Sequence, residues 1–277
     1  MPKPEQIRKA ETFRRMHTEG DVLVLPNVWD VASARVIEDA GCAAVATSSA
    51  GIAFAQGFPD GQKIPPRRML GVIADIAKAV KVPVTADVEA GYGGKPEDAA
   101  QTAREVIEAG AVGMNFEDAT GDPAHPLFDL QLQVERIRAV REVGVSLDVP
   151  LVVNARTDVY LLQIGETGQR YDEALRRMSA FRDAGADCVF VPGLVDLATI
   201  ARFVADLRCP LNILAVPGSP SIAEVRRAGV RRISLGSGPM RAAMGLLRRI
   251  ADELKETGTY SGLSGAPSHA EMNKLMG

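Results

Sequence analysis

Short apolar runs alternate with longer segments that mix apolar and charged residues along most of the chain. Most of the runs are bounded by Pro or Gly, a pattern that is typical of buried strands. Eight runs can be counted, at residues 22–25, 43–46, 83–87, 112–116, 150–154, 187–191, 211–214 and 232–235. Helical segments are predicted between most of them, with clear examples at 5–18, 30–40 and 239–255. This alternation predicts parallel βαβ units.

A short motif recurs where a predicted helix gives way to a strand. It ends in Ala-Gly, as in Glu38-Asp39-Ala40-Gly41, and returns at residues 108–110, 183–185 and 227–229. Glycine suits the position after a helix, where the backbone needs a positive φ. Eight units in about 250 residues favour a closed (β/α)8 barrel, the α/β TIM-barrel class, over an open sheet. We expect the barrel to span residues 1–257 and a C-terminal tail to span 258–277.

The composition narrows the class of protein. Of 277 residues, 46% are hydrophobic and 24% are charged, as in soluble globular proteins. A net charge of -3 gives no basic footprint for nucleic acid, and no apolar run approaches the roughly 18 residues of a membrane span. The odd number of cysteines (Cys42, Cys188, Cys209) and the absence of a secretory signal predict a reduced, cytoplasmic protein.

The stretch from Val82 to Gly93 carries the strongest chemical signal. Its apolar run ends in Asp87 and Glu89, which point to the same side if the strand continues. Two neighbouring acids repel each other, and a shared proton or a cation relieves the repulsion. The pair therefore predicts the anchor of a divalent-metal site. The alternative is a solvated strand end whose acids cap the next helix.

Further polar residues follow the neighbouring strands, and active sites of such barrels lie at these strand ends. Glu117 adds a third hard oxygen ligand, and the set suits Mg²⁺ or Mn²⁺. Arg156 suits a carboxylate or phosphate, but it could equally form a structural ion pair with Asp158 or Glu117. Together these groups predict a site that binds a 2-oxo or 2-hydroxy acid and stabilises its enolate.

Two loops offer further candidates. The small-residue turn at 47–51 could present backbone N–H groups to an anion. His125, in the loop after the fourth strand, could act as an acid or base, although a surface histidine in a Pro-rich loop is more often inert.

Five segments, taken together and in this order, resemble the isocitrate lyase / phosphoenolpyruvate mutase superfamily over about residues 10–255. They are residues 26–30 (Pro-Asn-Val-Trp-Asp), 47–60, 87–93 (Asp-Val-Glu-Ala-Gly-Tyr-Gly), 115–118 and 154–158. The resemblance implies a (β/α)8 barrel whose last helix is exchanged with a neighbouring subunit. It also implies a homotetramer arranged as a dimer of dimers.

The resemblance also implies roles for individual residues. Asp87 would be the direct Mg²⁺ ligand, with Glu89 and Glu117 acting mainly through waters. Asp60 would be a further metal-site or catalytic acid, and Arg156 would bind the substrate. The implied substrate-binding set is Trp29, Thr47, Ser48, Ser49, Arg156 and Asn212, with the amides of the serine turn holding the carboxylate and Asn212 contacting the far end of the substrate.

Three departures from the family pattern bear on the reaction. No cysteine lies between Cys42 and Cys188, so the Lys-x-Cys-Gly-His signature of isocitrate-type lyases is missing. Those lyases place a glutamate where this chain has Pro192-Gly193, and the mutases place a lysine where it has Ala119. The sequence is thus neither a standard isocitrate-type lyase nor a standard phosphonate mutase.

We predict a Mg²⁺-dependent carbon–carbon lyase for a small 2-oxo or 2-hydroxy carboxylate, acting through an enolate. The predicted catalytic residues are Asp60, Arg156 and His125, with a water as the alternative proton carrier to His125. One alternative is a phosphorus–carbon mutase or hydrolase acting on phosphonopyruvate or phosphoenolpyruvate. Another is a non-catalytic member that binds metal and carboxylate.

Overall fold

The computed structural model describes residues 4–277 as nine parallel strands, eleven α-helices and one short 3₁₀ helix. The strands are β1 Leu23–Leu25, β2 Asn27–Val28, β3 Val45–Thr47, β4 Val84–Asp87, β5 Gly113–Glu117, β6 Val152–Arg156, β7 Cys188–Phe190, β8 Leu211–Leu214 and β9 Arg232–Ser234. The helices are α1 Pro4–Met16, α2 Val31–Asp39, α3 Ser49–Ala55, α4 Pro66–Ala79, α5 Pro96–Glu108, α6 Leu130–Ser146, α7 Arg170–Asp183, α8 Leu197–Leu207, α9 Ile222–Arg227, α10 Gly238–Glu256 and α11 His269–Met276.

The strands form one sheet in the order β1-β9-β8-β7-β6-β5-β4-β3-β2. Its two edge strands, β1 and β2, are consecutive in the chain and are separated by Pro26, so the sheet closes on itself as a barrel. The Asn27 side chain bridges the junction, because its oxygen accepts from Leu235 N and Gly236 N at 2.7 and 2.8 Å. The predicted α/β barrel is confirmed.

The observed strand bounds differ from the predicted ones most clearly at β6. The predicted strand 150–154 lies two residues later, at 152–156. Pro150 has no N–H, and Leu151 N bonds to Val149 O, so the ladder begins only when Val152 N donates to Val112 O at 3.0 Å. The shift places Arg156 inside the strand, at its last residue. The short helix α3 was not predicted and replaces the expected small-residue turn.

Each outer helix buries one apolar face against the barrel. In α4, Met69, Ile73 and Ile76 recur at helical spacing and are fully buried, while the basic residues of its first turn face solvent. Aliphatic residues of the strands complete the core between helices and sheet. This packing holds the C-terminal ends of the strands at one rim, where the candidate site lies.

The last part of the chain departs from this packing. Helix α10 buries Met240, while its apolar residues Met244, Leu246, Leu247 and Leu254 are all more than 40% exposed. Beyond it, the 3₁₀ helix Ser261–Leu263 contacts α10, and α11 returns to α2, where Arg35 Nη1 donates to Leu275 O at 2.9 Å. The boundary at 257/258 and the exchange of the last helix stay predictions.

The three cysteines are all free thiols. Within residues 4–277, none of the helices combines the length and the apolar character that crossing a membrane requires.

Candidate active site

The three predicted metal ligands lie together at the C-terminal rim of β4 and β5. Asp87 is the last residue of β4, Glu117 is the last residue of β5, and Glu89 follows β4 by two residues. Their exposed fractions are only 5–8%. The backbone joins them as well, because Glu117 N donates to Glu89 O at 3.1 Å. Parallel neighbouring strands end on the same rim, and this explains why residues 30 positions apart meet.

Asp87 is oriented by the segment that follows β3. Its Oδ2 accepts from the backbone N and the Oγ of Ser49, at 2.9 and 2.7 Å. Its backbone N donates to Thr47 Oγ1 at 2.8 Å. The other carboxylate oxygen, Oδ1, has only a long contact of 3.4 Å from Asn115 Nδ2. One oxygen is therefore held firmly while the second is weakly held.

Glu89 shows the same asymmetry. Its Oε2 accepts from Gln62 N at 2.7 Å, whereas Oε1 is buried and has no hydrogen-bond partner among residues 4–277. Burial raises the pKa of this carboxyl group to about 7, and the carboxylates of Asp87 and Asp60 add to the shift. A buried acceptor without a donor is costly, so this oxygen is a candidate for a ligand that the chain itself does not supply.

Glu117 and Arg156 form the charged pair of the site. Arg156 Nη1 lies 2.8 Å from Glu117 Oε2, and its Nη2 lies 2.8 Å from Asp158 Oδ2. Both ion pairs that the sequence offered for Arg156 are thus formed. Burial raises the pKa of Glu117, although Arg156 opposes the shift. Burial would lower the pKa of Arg156, but Glu117 and Asp158 outweigh it and keep the guanidinium charged.

A second set of residues, none of them among the predicted site residues, supports the rim from behind. Asp118 is fully buried and accepts from Thr157 Oγ1 and Arg177 Nη1, at 2.8 and 3.1 Å. On α6, Gln133 Nε2 donates to Glu117 O at 3.1 Å, and Arg136 donates to two carbonyls of the loop after Glu89. The available signal was the presence of polar Gln133 and Arg136 on the otherwise apolar buried face of α6.

The donor set fits a hydrated divalent cation better than a bare one. Among residues 4–277, no three His, Cys, Asp or Glu side chains converge closely enough to hold a metal ion by themselves. Mg²⁺ prefers oxygen ligands, keeps several waters and commonly takes one or two carboxylates. The unpartnered Oε1 of Glu89 and the weakly held Oδ1 of Asp87 are suitable oxygens for such an ion.

The serine turn differs from the expectation of free backbone amides. Ser48 is the N-cap of α3, and its backbone N already donates to Val28 O at 3.0 Å. Ser49 N donates to Asp87, as described above, and Gly51 N donates to Ser48 Oγ at 3.1 Å. Trp29 lies beside this turn, with its Cβ 3.2 Å from the position that a Cβ at Gly51 would occupy. The segment therefore orients Asp87 and caps a helix.

The remaining predicted residues, Asn212, Asp60 and His125, lie in three different environments. Asn212 is fully buried in β8, where its side chain contacts Ser234 Oγ at 3.3 Å. Asp60 is exposed in the loop after α3. The surrounding protein raises its pKa, an effect that the Gly61 amide opposes and the Asp87 carboxylate reinforces. The loop that carries Asp60 contacts the acidic rim two residues later, where Gln62 N donates to Glu89 Oε2 at 2.7 Å.

His125 is not brought into the site. Its side chain is 85% exposed, and its Nδ1 lies 3.4 Å from Asp122 Oδ2 in the same loop. The loop is a tight turn rather than an open one, because Ala119 pairs with Leu127 and Thr120 N donates to Pro126 O at 3.0 Å.

A further polar cluster lies inside the barrel, below the acidic rim. Arg232 is fully buried and contacts neutral groups, with Nη2 donating to Asn115 Oδ1 at 3.1 Å and Nη1 lying 3.3 Å from His17 Nε2. Asn154 Nδ2 also donates to Asn115 Oδ1, at 2.8 Å. Because Asn115 also contacts Asp87, it links this interior cluster to the candidate site.

Comparison with known proteins agrees with this architecture. A family model described as phosphoenolpyruvate phosphomutase matches residues 13–255. The chain belongs to this family. An uncharacterized protein of Mycobacterium tuberculosis is 35% identical over 234 residues, which is 84% of each chain. The 2-methylisocitrate lyase of Bacillus subtilis is 27% identical over 215 residues, covering 74% of this chain and 67% of the lyase.

Solved structures show the same fold over nearly the whole chain. A proposed lyase/mutase of Burkholderia cenocepacia J2315 is 38% identical, with a TM-score of 0.93 and coverage of 98% of this chain and 96% of that one. A 2,3-dimethylmalate lyase of the same superfamily is 30% identical, with a TM-score of 0.86 and coverage of 97% and 95%. An oxaloacetate acetylhydrolase bound to oxalate is 26% identical, with a TM-score of 0.85 and coverage of 97% and 94%.

The family model is described as a phosphomutase, the relatives include carbon–carbon lyases, and the oxaloacetate acetylhydrolase was solved with a small carboxylate bound. A phosphonopyruvate hydrolase, solved with oxalate and Mg²⁺, shares the fold at 23% identity, a TM-score of 0.83 and coverage of 96% and 94%. The chain is therefore a member of an enzyme family of lyases and mutases.

Proposed function

We propose that the chain is a Mg²⁺-dependent lyase that cleaves or decarboxylates a small 2-oxo or 2-hydroxy carboxylate through its enolate. One observation carries the proposal. Asp87 and Glu89, side by side on one rim with Glu117, each have one oxygen held by protein donors and a second oxygen weakly held or unpartnered. The lyases among the relatives support a carbon–carbon reaction.

Asp87, Glu89 and Glu117 are the residues that would hold the ion, and Mn²⁺ would suit the same oxygens. When bound, the ion would act as a Lewis acid that polarises the substrate carbonyl and stabilises developing negative charge. The electrostatics of the chain support this assignment. Burial and mutual repulsion raise the pKa of Glu89 to about 7, so these acids crowd one another and a cation would relieve the crowding.

Arg156 would bind the carboxylate of the substrate. Its guanidinium is planar and always charged, and Asp158 and Glu117 hold it in one orientation at the rim. Such preorganisation lowers the cost of orienting the substrate. Thr47 and Ser49 would keep Asp87 oriented, while Trp29 and Ser48 beside them would contact the substrate. Asn212, which the family resemblance assigns to the far end of the substrate, is fully buried and hydrogen-bonded to Ser234, so it would support the barrel interior instead.

Asp60 is our first candidate for proton transfer. It is exposed in the loop beside the rim, and its pKa is raised, which brings the carboxyl group nearer to the range of a useful acid at neutral pH. His125 is the second candidate. It would reach the rim only if the hydrogen-bonded loop that carries it rearranged.

A phosphorus–carbon reaction is the second candidate function. The matching family model is described as phosphoenolpyruvate phosphomutase, and the chain has no cysteine between Cys42 and Cys188 to serve as the thiol acid of isocitrate-type lyases. The same carboxylates and arginine would suit phosphonopyruvate, which combines a 2-oxo acid with a phosphonate.

A product assay separates these functions. The metal-loaded protein would be given oxaloacetate, 2-methylisocitrate, 2,3-dimethylmalate, phosphonopyruvate and phosphoenolpyruvate, each with Mg²⁺ and with a chelator. We expect chelator-sensitive pyruvate or oxalate release from a carbon acid. Turnover of phosphonates alone would transfer the protein to the second function. Absence of turnover on the whole panel, with the fold intact, would refute both.

Assembly is a separate part of the proposal. The exposed apolar residues of α10 form a broad face, and the family resemblance implies that a second copy of the chain covers it. We expect a homo-oligomer by size-exclusion chromatography with light scattering, and a smaller species for Leu247→Arg. Val145→Arg is a matched control, since Val145 is an exposed apolar residue on α6 (79% exposed). A wild-type monomer would contradict the expectation.

A further inference from the structure

Three residues beside the acidic rim share an uncommon backbone conformation. Gln62, Glu89 and Tyr92 have φ values of 58°, 52° and 53°. Residues other than glycine rarely adopt this left-handed region, and such conformations persist only where the surrounding structure enforces them. Of the six non-glycine residues with positive φ between residues 4 and 277, these three form one hydrogen-bonded group. The clustering of three such residues indicates that the surrounding structure enforces the backbone conformation here.

Gln62 makes both bonds of the group. Its backbone N donates to Glu89 Oε2 at 2.7 Å, and its side-chain Oε1 accepts from Tyr92 N at 2.7 Å. Gln62 is half-buried, whereas its neighbours Gly61 and Lys63 are exposed. A single residue therefore ties the loop after α3 to the loop after β4. We call this arrangement the Gln62 clasp.

The loop after α3 has few other anchors near the rim. Most of residues 56–63 are exposed, and Ile64, which enters the core, marks the far end of the loop. Asp60 lies two positions before Gln62, so a change in the clasp would move its carboxyl group. The clasp also acts on Glu89, because the amide of Gln62 occupies Oε2 and leaves Oε1 unpartnered.

We propose that Gln62 is a positioning residue, whose clasp sets the carboxyl groups of Asp60 and Glu89 relative to Asp87. The inference deepens the proposed function and rests on it, because these carboxyl groups are the proposed metal and proton-transfer groups. Gln62 acts through its neighbours and needs no contact with the substrate. Loss of a residue that orients a metal ligand without binding the metal itself commonly lowers metal affinity by roughly 10–100-fold.

The test is Gln62→Met, which keeps the length of the side chain and removes the acceptor of the Tyr92 N–H. Gln163→Met is the matched control, since Gln163 has a φ of 55° in an exposed turn after β6. Gln62→Glu is the rescue variant, because it keeps an acceptor oxygen at the same reach. Thermal unfolding would first establish that all three variants fold.

Two readouts are independent of turnover. We expect hydrogen exchange at the Tyr92 amide and in residues 57–63 to become at least about 10-fold faster in Gln62→Met, because local opening then needs one hydrogen bond fewer. We expect the affinity for Mn²⁺, measured by titration without substrate, to fall roughly 10-fold. Gln163→Met should change neither quantity, and Gln62→Glu should restore the protection of the Tyr92 amide.

The outcomes separate this inference from the proposed function. Unchanged exchange at Tyr92, or a Mn²⁺ affinity of Gln62→Met equal to that of the wild type, overturns the positioning role while leaving the metal site in place. If the wild type binds no divalent cation, the proposed function fails; the clasp is then decided by hydrogen exchange alone. A change as large in Gln163→Met would also overturn the inference, because it would show a general effect of the substitution.

Discussion

The acidic rim and the interior cluster are both buried and polar, but they carry opposite excesses of charge. At the rim, Asp87, Glu89 and Glu117 share one nearby cation, Arg156. Below them, the Arg232 guanidinium contacts the neutral His17 and Asn115. The two regions are joined by Asn115, which contacts Asp87 on one side and Arg232 on the other.

The protein handles the two excesses in different ways. At the rim, burial raises the pKa of Glu89 to about 7, and its Oε1 has no hydrogen-bond partner in the part of the chain that the structure describes. In the interior, burial lowers the pKa of Arg232 to about 10, and burial together with Arg232 lowers the pKa of His17 to about 3. In the interior, the positive charge of Arg232 lies beside a histidine that stays neutral. At the rim, the negative charges lie beside a carboxylate oxygen of Glu89 that has no hydrogen-bond donor among the described residues. We infer that the acidic rim binds a cation from solution and that the interior cluster does not.

Loss of the central rim carboxylate should have the largest effect. In Asp87→Asn, we expect Mg²⁺ binding and turnover to be lost altogether, beyond the roughly 10–100-fold that the loss of an outer-shell partner costs. Isothermal titration with Mg²⁺ and the product assay would measure the two effects. Asp39→Asn, at an exposed position on α2, is the matched control. An Asp87→Asn protein that binds Mg²⁺ as well as the wild type would contradict the assignment of the rim.

The interior cluster should make the protein acid-sensitive. The pKa of His17 is lowered from 6.5 to about 3, so the unfolded chain binds a proton between these pH values that the native chain does not. Stability is therefore present above about pH 6.5 and is lost as the pH falls toward 3. The ceiling of this loss is about 5 kcal/mol at 1.36 kcal/mol per pKa unit.

Urea unfolding between pH 4 and 7 would measure this dependence. His17→Gln should flatten it, because a glutamine does not titrate. A wild type and a His17→Gln variant with equal pH slopes would show that His17 does not carry the effect.

The acidic rim should have the opposite pH dependence when no metal is bound. The pKa of Glu89 is raised from 4.5 to about 7, so the native chain keeps a proton that the unfolded chain has released. Stability is therefore present below about pH 4.5 and is lost as the pH rises through 7, by up to about 3 kcal/mol. Glu117 acts in the same direction, because burial also raises its pKa.

Thermal unfolding from pH 5 to 8.5, with a chelator and with Mg²⁺, would test this dependence. We expect Mg²⁺ to remove most of the decline, because a bound cation favours the ionised carboxylates. Glu89→Gln should show a shallower decline in the chelator. A decline that is identical with and without Mg²⁺ would count against a cation site at the rim.

The junction between the two regions should give the smallest effect. Asn115→Ser would remove the amide that contacts both Asp87 and Arg232. We expect Mg²⁺ affinity to weaken about 10-fold, or about 1.4 kcal/mol, because Asp87 keeps its two bonds to Ser49. Thr102→Ser, at a buried residue bonded to Gly91 O, is a control of similar burial. An Asn115→Ser affinity that matches the wild type would show that the two regions are independent.

Much of the fold was predictable because it depends on patterns that repeat along the chain. The alternation of apolar runs and helices predicted the barrel, and each of the eight predicted strands overlaps one observed strand. The ninth strand, β2, was not predicted, because Pro26 ends the first apolar run after Leu25. The bounds of β6 shifted because Val149 and Pro150 form a local turn whose bond competes with the ladder.

The candidate site was predictable only as a set of residue types. The strand-end positions of Asp87, Glu117 and Arg156 were enough to place these residues on one rim. Glu89 joins them, but not by the predicted strand alternation, because β4 ends at Asp87 and Glu89 has a φ of 52°. Asp158 and Glu117 were predicted as possible partners of Arg156, but that both ion pairs form together was not predictable, and neither was the engagement of the Ser48 and Ser49 amides. Each depends on which atoms meet across neighbouring strands.

The sequence by itself determined the class of fold, the rim on which the acids lie and the family that the chain resembles. These follow from local hydrophobic periodicity and from short ordered motifs, which a chain carries whether or not it is folded. Only the tertiary structure decided which carboxylate oxygens are free, that Gln62 joins two loops, and that a buried arginine lies beneath the acids. These features arise between residues far apart in the chain, and burial gives them their electrostatic strength.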